Sequence, residues 1–222
     1  WGPADFGPGN EKLLIANYVS ISDSRAHLID LGSGENRRLA GGGEEGGLHL
    51  PLEFDAQAEG FYLLTDRDSE FTRLAHMVFG SGAVTFITGD IAWDVESFDL
   101  SDDGARAAFE VNEDGISRLY LMDPKTREYR RVELLPTGLV SGMTFSPDGR
   151  RLAMTLETAR TPSDVFTLEL GDDPLTATGL TRWTHSEVGG LDTEAFVEPE
   201  LVHFPGFDGR EIPAFLMKPK GE

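Results

Sequence analysis

Apolar and polar residues alternate along much of the chain. In the stretches 106–111 and 151–156 an apolar residue returns at every second position, and the 3.6-residue spacing of an amphipathic helix is absent. Alternation with period two is typical of β-strands that have one buried and one exposed face. The 26 glycines and 12 prolines are spread along the sequence, which favours many short strands joined by tight turns. The pattern therefore predicts an all-β fold.

A tight turn followed by such a strand recurs four times. In one copy proline sets φ at the first corner, aspartate caps the turn, and glycine accepts a positive φ. The four turns are Pro8-Gly9-Asn10, Ala58-Glu59-Gly60, Asp102-Asp103-Gly104 and Pro147-Asp148-Gly149. Their last residues lie 50, 44 and 45 positions apart. The turns therefore predict a repeat of about 45 residues.

A second landmark keeps the same register. Its copies are Ser24-Arg25-Ala26, Thr72-Arg73-Leu74, Ser117-Arg118-Leu119 and Ser163-Asp164-Val165. They are 48, 45 and 46 residues apart and follow the turns by 14, 12, 13 and 14 residues. Four short strands in such a period make one β-propeller blade, whose apolar faces are covered by its neighbours. We therefore predict a partial propeller of about four four-stranded antiparallel blades, over residues 1–43, 44–92, 93–137 and 138–183.

Charge and composition narrow the classes of partner. Asp and Glu total 39 against 19 Lys and Arg, and this net charge of −20 argues against nucleic acid or an anionic membrane surface. We interpret the acidity as a device for solubility, with a preference for cationic peptides as the alternative. The chain has no cysteine, which excludes disulfides and thiolate metal sites. No apolar run approaches the roughly 18 residues that cross a bilayer, and we expect a cytoplasmic protein.

Two stretches imitate known binding motifs. Gly41-Gly42-Gly43-Glu44-Glu45-Gly46 has the form of a dinucleotide fingerprint, but it opens no helix and places two carboxylates where a pyrophosphate would lie. We interpret it as a loop between blades. Asp66-Arg67-Asp68-Ser69-Glu70 resembles the start of a calcium loop but lacks the central glycine and the distal glutamate. It is predicted to be a hairpin turn.

No residue is predicted to ligate a metal or a cofactor. The five histidines show no paired spacing on one face, and they are His27, His49, His76, His185 and His203. His27 and His76 fall near one another in the repeat alignment, which indicates packing between strands. Three aromatic residues on blade strands are expected to belong to the core rather than to a ligand face, and they are Trp93, Tyr120 and Trp183.

No catalytic residue is predicted either. A Gly-x-Ser-x-Gly elbow, which exposes a serine nucleophile at a strand-to-helix turn, does not occur in the sequence. The neighbouring carboxylates Glu44 and Glu45, and likewise Asp172 and Asp173, fall in loops and receive no acid or base role. We therefore expect the chain alone to be inactive as a serine hydrolase.

The last forty residues depart from the repeat. Residues 184–198 have the composition of a linker, and residues 199–219 read as a strand, an Asp208-Gly209 turn and a second strand. Pro213 inside that second strand indicates an edge strand or a bulge. We predict that residues 199–222 begin a different domain.

The segment 199–219 resembles the start of the α/β-hydrolase domain in the prolyl oligopeptidase family of serine peptidases, in its acylaminoacyl-peptidase-like branch. The resemblance rests on Phe207-Asp208-Gly209, Ile212-Pro213-Ala214 and Lys218-Pro219, together with the Ser146-Pro147-Asp148-Gly149 blade turn. It implies a propeller of about seven blades followed by a hydrolase domain. About three upstream blades and nearly all of the hydrolase domain, with its catalytic triad, would then lie outside this chain. The start at Trp1 without methionine points the same way.

The resemblance implies that the propeller covers the hydrolase domain and admits only short peptides or unfolded ends. One alternative is a stand-alone TolB-like propeller that serves as a scaffold for a protein partner. A weaker alternative is a propeller enzyme with its own central metal or carboxylate site. Four blades taken from a larger ring leave exposed edges, so we also expect self-association into a homo-oligomer.

Overall fold

The computed structural model describes residues 1–43 and 46–219, which form four four-stranded antiparallel sheets and one two-stranded hairpin. The first sheet contains β1 (Gly2–Phe6), β2 (Lys12–Ser20), β3 (Asp23–Asp30) and β4 (Asn36–Ala40). The second contains β5 (His49–Phe54), β6 (Gly60–Thr65), β7 (Arg73–Val78) and β8 (Val84–Phe86). The third contains β9 (Asp94–Leu100), β10 (Ala107–Glu113), β11 (Ile116–Met122) and β12 (Tyr129–Arg131). The fourth contains β13 (Leu139–Phe145), β14 (Arg151–Glu157), β15 (Asp164–Leu170) and β16 (Ala177–Arg182).

The terminal hairpin consists of β17 (Glu200–Pro205) and β18 (Glu211–Leu216). Single 3₁₀ turns lie at Pro8–Asn10 and Thr193–Ala195. His203 pairs with Pro213 in the hairpin. The N–H of Gly206 bonds to the carbonyl of Arg210, and the pairs alternate from there, so His203 and Pro213 form a non-hydrogen-bonded pair. The missing N–H of Pro213 therefore leaves no ladder bond unmade, as expected for an edge strand. None of the helical segments in the described part of the chain is long and apolar enough to cross a membrane.

Each sheet is a meander whose neighbours in sequence are its neighbours in space. The sheets stack face to face, and an apolar core fills each of the three spaces between them. Leu14 packs with Phe61 between the first two sheets, and Leu119 packs with Leu152 between the last two. Because one meander cannot bury both faces alone, each sheet depends on its neighbour for its core. The predicted all-β partial propeller is confirmed.

The second sequence landmark has a structural role at the junctions between sheets. The hydroxyl of Ser24 accepts a hydrogen bond from the backbone N–H of His49 at 2.7 Å, and the hydroxyl of Ser117 accepts one from Val140 at 2.9 Å. In both cases a residue at the start of the third strand holds the first strand of the next sheet. At the junction of the second and third sheets the backbone carbonyl of Thr72 accepts the N–H of Val95 instead, so the hydroxyl has this role at two of the three junctions.

The alignment of the first landmark was wrong in the second sheet. The residue with a left-handed backbone in each turn donates its N–H to the carbonyl three residues earlier, and these residues are Asn10, Ala58, Gly104 and Gly149. Gly60 instead begins strand β6. With Ala58 in its place the turns are 48, 46 and 45 residues apart. The error arose because an alanine occupies a position where glycine was expected.

The three aromatic residues differ in their environment. Tyr120 stacks on Phe109 at a centroid distance of 5.0 Å, and Trp93 packs against the same core. Trp183 is 61% exposed and donates its indole N–H to Thr167, so the expectation of a core position was wrong for it. It lies on the face of the fourth sheet that points away from the third, where no further sheet packs within the described structure.

Candidate functional site

The turns that join the second and third strands of each sheet lie on one rim of the molecule, which we name the 2–3 rim (residues 21–22, 66–72, 114–115 and 158–163). The terminal hairpin rests on this rim. His203 of β17 lies 2.9 Å from the carboxylate of Asp114. The ring of Phe215 covers Gly115, where an added Cβ would lie 3.2 Å from the ring. The segment predicted to begin a second domain is therefore held against the turn of the third sheet.

The connection before the hairpin is also anchored to this rim. Arg160, in the turn of the fourth sheet, forms ion pairs with Glu194 at 3.3 Å and with Glu198 at 2.8 Å. The side chain of Asp164 is fully buried and accepts hydrogen bonds from Thr184, Arg182 and Ser186. The hydrogen bond from Thr184, with those from Arg182 and Ser186, lowers the pKa of Asp164 to about 2. Residues 184–198 are thus tied to the last sheet by charge and hydrogen bonds.

The hairpin leaves large apolar side chains uncovered. Phe204, Ile212, Leu216 and Met217 are between 41% and 64% exposed. A second cluster of exposed apolar side chains lies at the end of β2 and in the turn that follows it on the 2–3 rim. Its members are Tyr18, Val19 and Ile21. Exposed apolar clusters of this kind mark interaction surfaces. The 2–3 rim and the hairpin together therefore expose two groups of large apolar side chains.

A row of carboxylates connects the innermost strands of successive sheets. Asp5 accepts a hydrogen bond from the N–H of Phe54 at 2.9 Å, Glu53 from Leu100 at 3.2 Å, and Asp99 from Phe145 at 2.7 Å. We name Asp5, Glu53 and Asp99 the inner carboxylates. The corresponding place in the fourth sheet belongs to Thr144, and the four positions are 48, 46 and 45 residues apart. This spacing equals that of the corrected turns, which is the signal that sequence analysis missed.

Burial alters the acidity of the inner carboxylates. Burial, reinforced by the negative charges of Asp99 and Asp5, raises the pKa of Glu53 to about 8. Burial also raises the pKa of Asp99, against the hydrogen bond from Phe145. A protonated Glu53 still accepts the hydrogen bond from Leu100 through its carbonyl oxygen. These groups join the sheets along the inner side of the stack.

The two stretches that resemble binding motifs, residues 41–46 and 66–70, lie in loops. Gly41, Gly42, Gly43 and Gly46 all have positive φ between β4 and β5, and the described residues after Gly46 lead into strand β5 rather than into a helix. Glu44 and Glu45 lie outside the described residues. The acidic stretch 66–70 forms the turn between β6 and β7, where the carboxylate of Asp66 accepts the N–H of Leu48 at 2.7 Å. The interpretation of 66–70 as a hairpin turn is confirmed, and the described residues of 41–46 lie between the first two sheets.

The histidines are dispersed over the molecule. His27 and His76 occupy adjacent repeat positions on opposite faces of their sheets, since His27 pairs with Ile15 and His76 with Tyr62. The described ranges contain no group of three or more histidine or carboxylate side chains arranged to hold a metal ion. Both histidines lie on paired strands within their sheets.

Comparisons with known proteins support the fold. Neither a family model nor a curated protein sequence matches the chain. A solved prolyl endopeptidase structure superposes with a TM-score of 0.78 at 18% identity, covering 98% of this chain and 31% of that chain. The uncovered 2% of 222 residues is about 4 residues, which is too few to contain the terminal hairpin. Sheets and hairpin are therefore matched together in one chain of that enzyme.

Two further structures show the same relation. A puromycin-hydrolysing peptidase of Mycobacterium tuberculosis superposes with a TM-score of 0.77 at 16% identity, covering 97% of this chain and 33% of that chain. A puromycin hydrolase superposes with a TM-score of 0.72 at 19% identity, covering 96% and 32%. At this identity the likeness concerns the fold. The chain thus has the fold of a β-propeller portion followed by a hairpin, as in these peptidase structures, and it spans about a third of their length.

Proposed function

We propose that this chain is the non-catalytic propeller portion of a serine peptidase and that it limits the access of peptides to a hydrolase domain. The observation that carries the proposal is the common superposition of the four sheets and the hairpin on a prolyl endopeptidase. The contacts of His203 with Asp114 and of Phe215 with Gly115, which hold the hairpin on the 2–3 rim, support a position of the hydrolase domain at that rim. The sequence holds no serine elbow, so the chemistry belongs to that other domain.

Selection by size follows from the rigidity of the stack. Sheets that share apolar cores and are linked by the inner carboxylates resist the widening that a folded protein would need in order to pass. A short peptide can pass without any widening of the stack. The scaffold thus contributes steric selection, while loops at the rim contact the substrate.

The test compares this chain with a protein in which it is joined to its hydrolase domain. We expect the 222-residue chain to leave peptide p-nitroanilides uncleaved, and the joined protein to cleave them while sparing folded proteins. Deleting residues 1–183 from the joined protein should raise the rate at which larger unfolded chains are cleaved. Turnover by the chain alone would contradict the proposal, as would equal rates on short peptides and folded proteins. A reading frame without a Gly-x-Ser-x-Gly elbow would favour the scaffold alternative.

A further inference from the structure

A cavity of about 700 Å³ opens on the rim opposite the hairpin, where the second and third sheets meet. Its inner wall contains Tyr62 and His76 of the second sheet and Arg127 from the turn between β11 and β12. Leu100 and Pro124 provide apolar lining. Cavities of this size hold small organic molecules.

The polar groups of this cavity are held in one network. His76 is 7% exposed and lies 2.8 Å from the carboxylate of Asp55 through Nε2. The guanidinium Nη2 of Arg127 lies 3.2 Å from Nδ1 of the same ring. Because Arg127 can only donate, Nδ1 accepts and the Nε2–H donates to Asp55. The imidazole thus bridges the carboxylate of Asp55 and one N–H of Arg127.

The residues of this network differ from those at the equivalent positions of the other three sheets. Tyr62 pairs with His76 across two strands, and the corresponding pairs are Leu14 with Leu28, Ala108 with Leu121, and Ala153 with Thr167. The first two of these face another sheet and are entirely apolar. Only the junction of the second and third sheets has a phenol and an imidazole in this position.

Arg127 has a left-handed backbone at a turn position that glycine occupies in the first two sheets. Its φ is +63°, and its N–H bonds to the carbonyl of Asp123, four residues earlier. Gly34 and Gly82 make the same bond in the first two sheets, with φ of +76° and +67°. A residue with a Cβ costs about 1–2 kcal/mol in this conformation. A strained arginine where glycine serves elsewhere indicates a role for its side chain.

Hydrogen-bond donors in the cavity remain unused. Tyr62 is 3% exposed, and its hydroxyl has no partner among the described residues. Burial raises the pKa of Tyr62 to about 12, so the phenol keeps its proton at neutral pH. Within the same described part of the chain, Arg127 forms no ion pair and Lys125 at the mouth forms none either. These donors face the cavity, where a bound acceptor can reach them.

We propose that this cavity binds a small organic monocarboxylate, whose carboxylate accepts hydrogen bonds from the Tyr62 hydroxyl and the Arg127 guanidinium. Arginine suits the planar carboxylate, and the apolar wall at Leu100 and Pro124 takes the organic part. Asp55, Glu59, Asp103 and Asp123 also line the cavity, so a doubly charged phosphate meets more repulsion than a singly charged carboxylate. The site lies on the rim opposite the hairpin and does not depend on the proposed peptidase role.

The test is titration of the full 222-residue chain with benzoate, benzamide and inorganic phosphate. We expect benzoate to bind in the millimolar range or tighter and to shift the ring-nitrogen NMR signals of His76. Benzamide and phosphate should bind at least about tenfold more weakly, because one lacks the charge and the other has too much. Equal binding of benzoate and benzamide, binding of phosphate alone, or no binding of benzoate would overturn the proposal.

Two variants and one control locate the site. Tyr62→Phe keeps the ring and removes the hydroxyl, and Arg127→Gly restores the residue type found in the other turns, so both should fold. Each should weaken benzoate by about tenfold or more, as expected for a lost hydrogen bond to a charged group. Arg130→Ala changes an exposed arginine on β12 outside the cavity lining and should bind as the unaltered chain does. Unchanged affinity in both Tyr62→Phe and Arg127→Gly would overturn the assignment.

Discussion

Gly104 and Gly149 occupy the same place in the turns of the third and fourth sheets, both with φ of +64°. Their surroundings differ. A Cβ on Gly104 would lie 2.2 Å from the Cβ of Ala56 in the turn of the second sheet, whereas a Cβ on Gly149 would have 3.8 Å to its nearest neighbour. One glycine is required for the backbone alone, and the other is also required for the contact between sheets.

We therefore expect Gly149→Ala to lower the free energy of unfolding by about 1–2 kcal/mol, the cost of a Cβ at positive φ. Gly104→Ala should lower it by about 1–3 kcal/mol more, because the alanine also displaces Ala56. Urea denaturation of the two variants measures the difference. Equal losses would show that the close approach of the two turns does not affect stability.

At the scale of elements, the inner carboxylates join the first strands of successive sheets. The ordinary pKa of glutamate is 4.5, and that of Glu53 in the folded chain is about 8. A carboxyl whose pKa rises on folding stabilises the fold below its unfolded pKa, and this contribution is lost as the pH rises through the folded pKa. For Glu53 the loss falls between pH 4.5 and about pH 8.

Glu53→Gln should remove this loss, since glutamine keeps an oxygen for the N–H of Leu100 and cannot ionise. The variant should gain in free energy of unfolding over the unaltered chain as the pH rises from 5 to 8, by at most roughly 1.4 kcal/mol for each pH unit. Denaturant titrations at several pH values measure the gain. Glu35→Gln, at an exposed turn, serves as the control and should show no such trend. A gain independent of pH would contradict the assignment.

At the scale of the whole molecule, the hairpin is attached to the propeller through few contacts. Phe215→Ala removes the ring over Gly115 and should free the hairpin without affecting the cores between the sheets. We expect trypsin to cleave after Arg210 about fivefold faster or more, as a loss of about 1 kcal/mol in local stability implies. The thermal unfolding midpoint of the sheets should not change.

Phe207→Ala provides the matched control in the same hairpin, because Phe207 is fully exposed. It should leave the rate of cleavage as it is. If both variants were cleaved alike, the contact of Phe215 with the 2–3 rim would not hold the hairpin.

The outer faces of the first and fourth sheets, at the two ends of the stack, expose apolar side chains, whereas both faces of the inner sheets are covered by neighbouring sheets. Trp1 on the first sheet is 70% exposed, and Val165 on the fourth is 42% exposed. We expect the chain to self-associate through these faces, with a mass in light scattering that rises with concentration. Val165→Glu should lower the association, because a charge must then be buried in the contact. A monomer at every concentration would contradict this expectation.

Much of the fold could be predicted from particular residues. The alternation in 151–156 belongs to a single strand, and it is visible in the sequence. The hydroxyls of Ser24 and Ser117 return at the repeat spacing, so their positions are visible too, although their partners lie in the next sheet. Ala58 was missed because alanine is not a usual sign of positive φ. The division into propeller, linker and the start of a hydrolase domain stays a prediction.

The sequence by itself determined the strands, their period and the stacking of apolar faces, because side-chain alternation and turn chemistry are local properties of the chain. Only the tertiary structure showed which rim receives the hairpin, since His203 meets Asp114 across 89 positions. It also decided that Asp55, Tyr62, His76 and Arg127 line one cavity. Those residues come from two sheets, and their convergence depends on how the sheets stack, which no local pattern records.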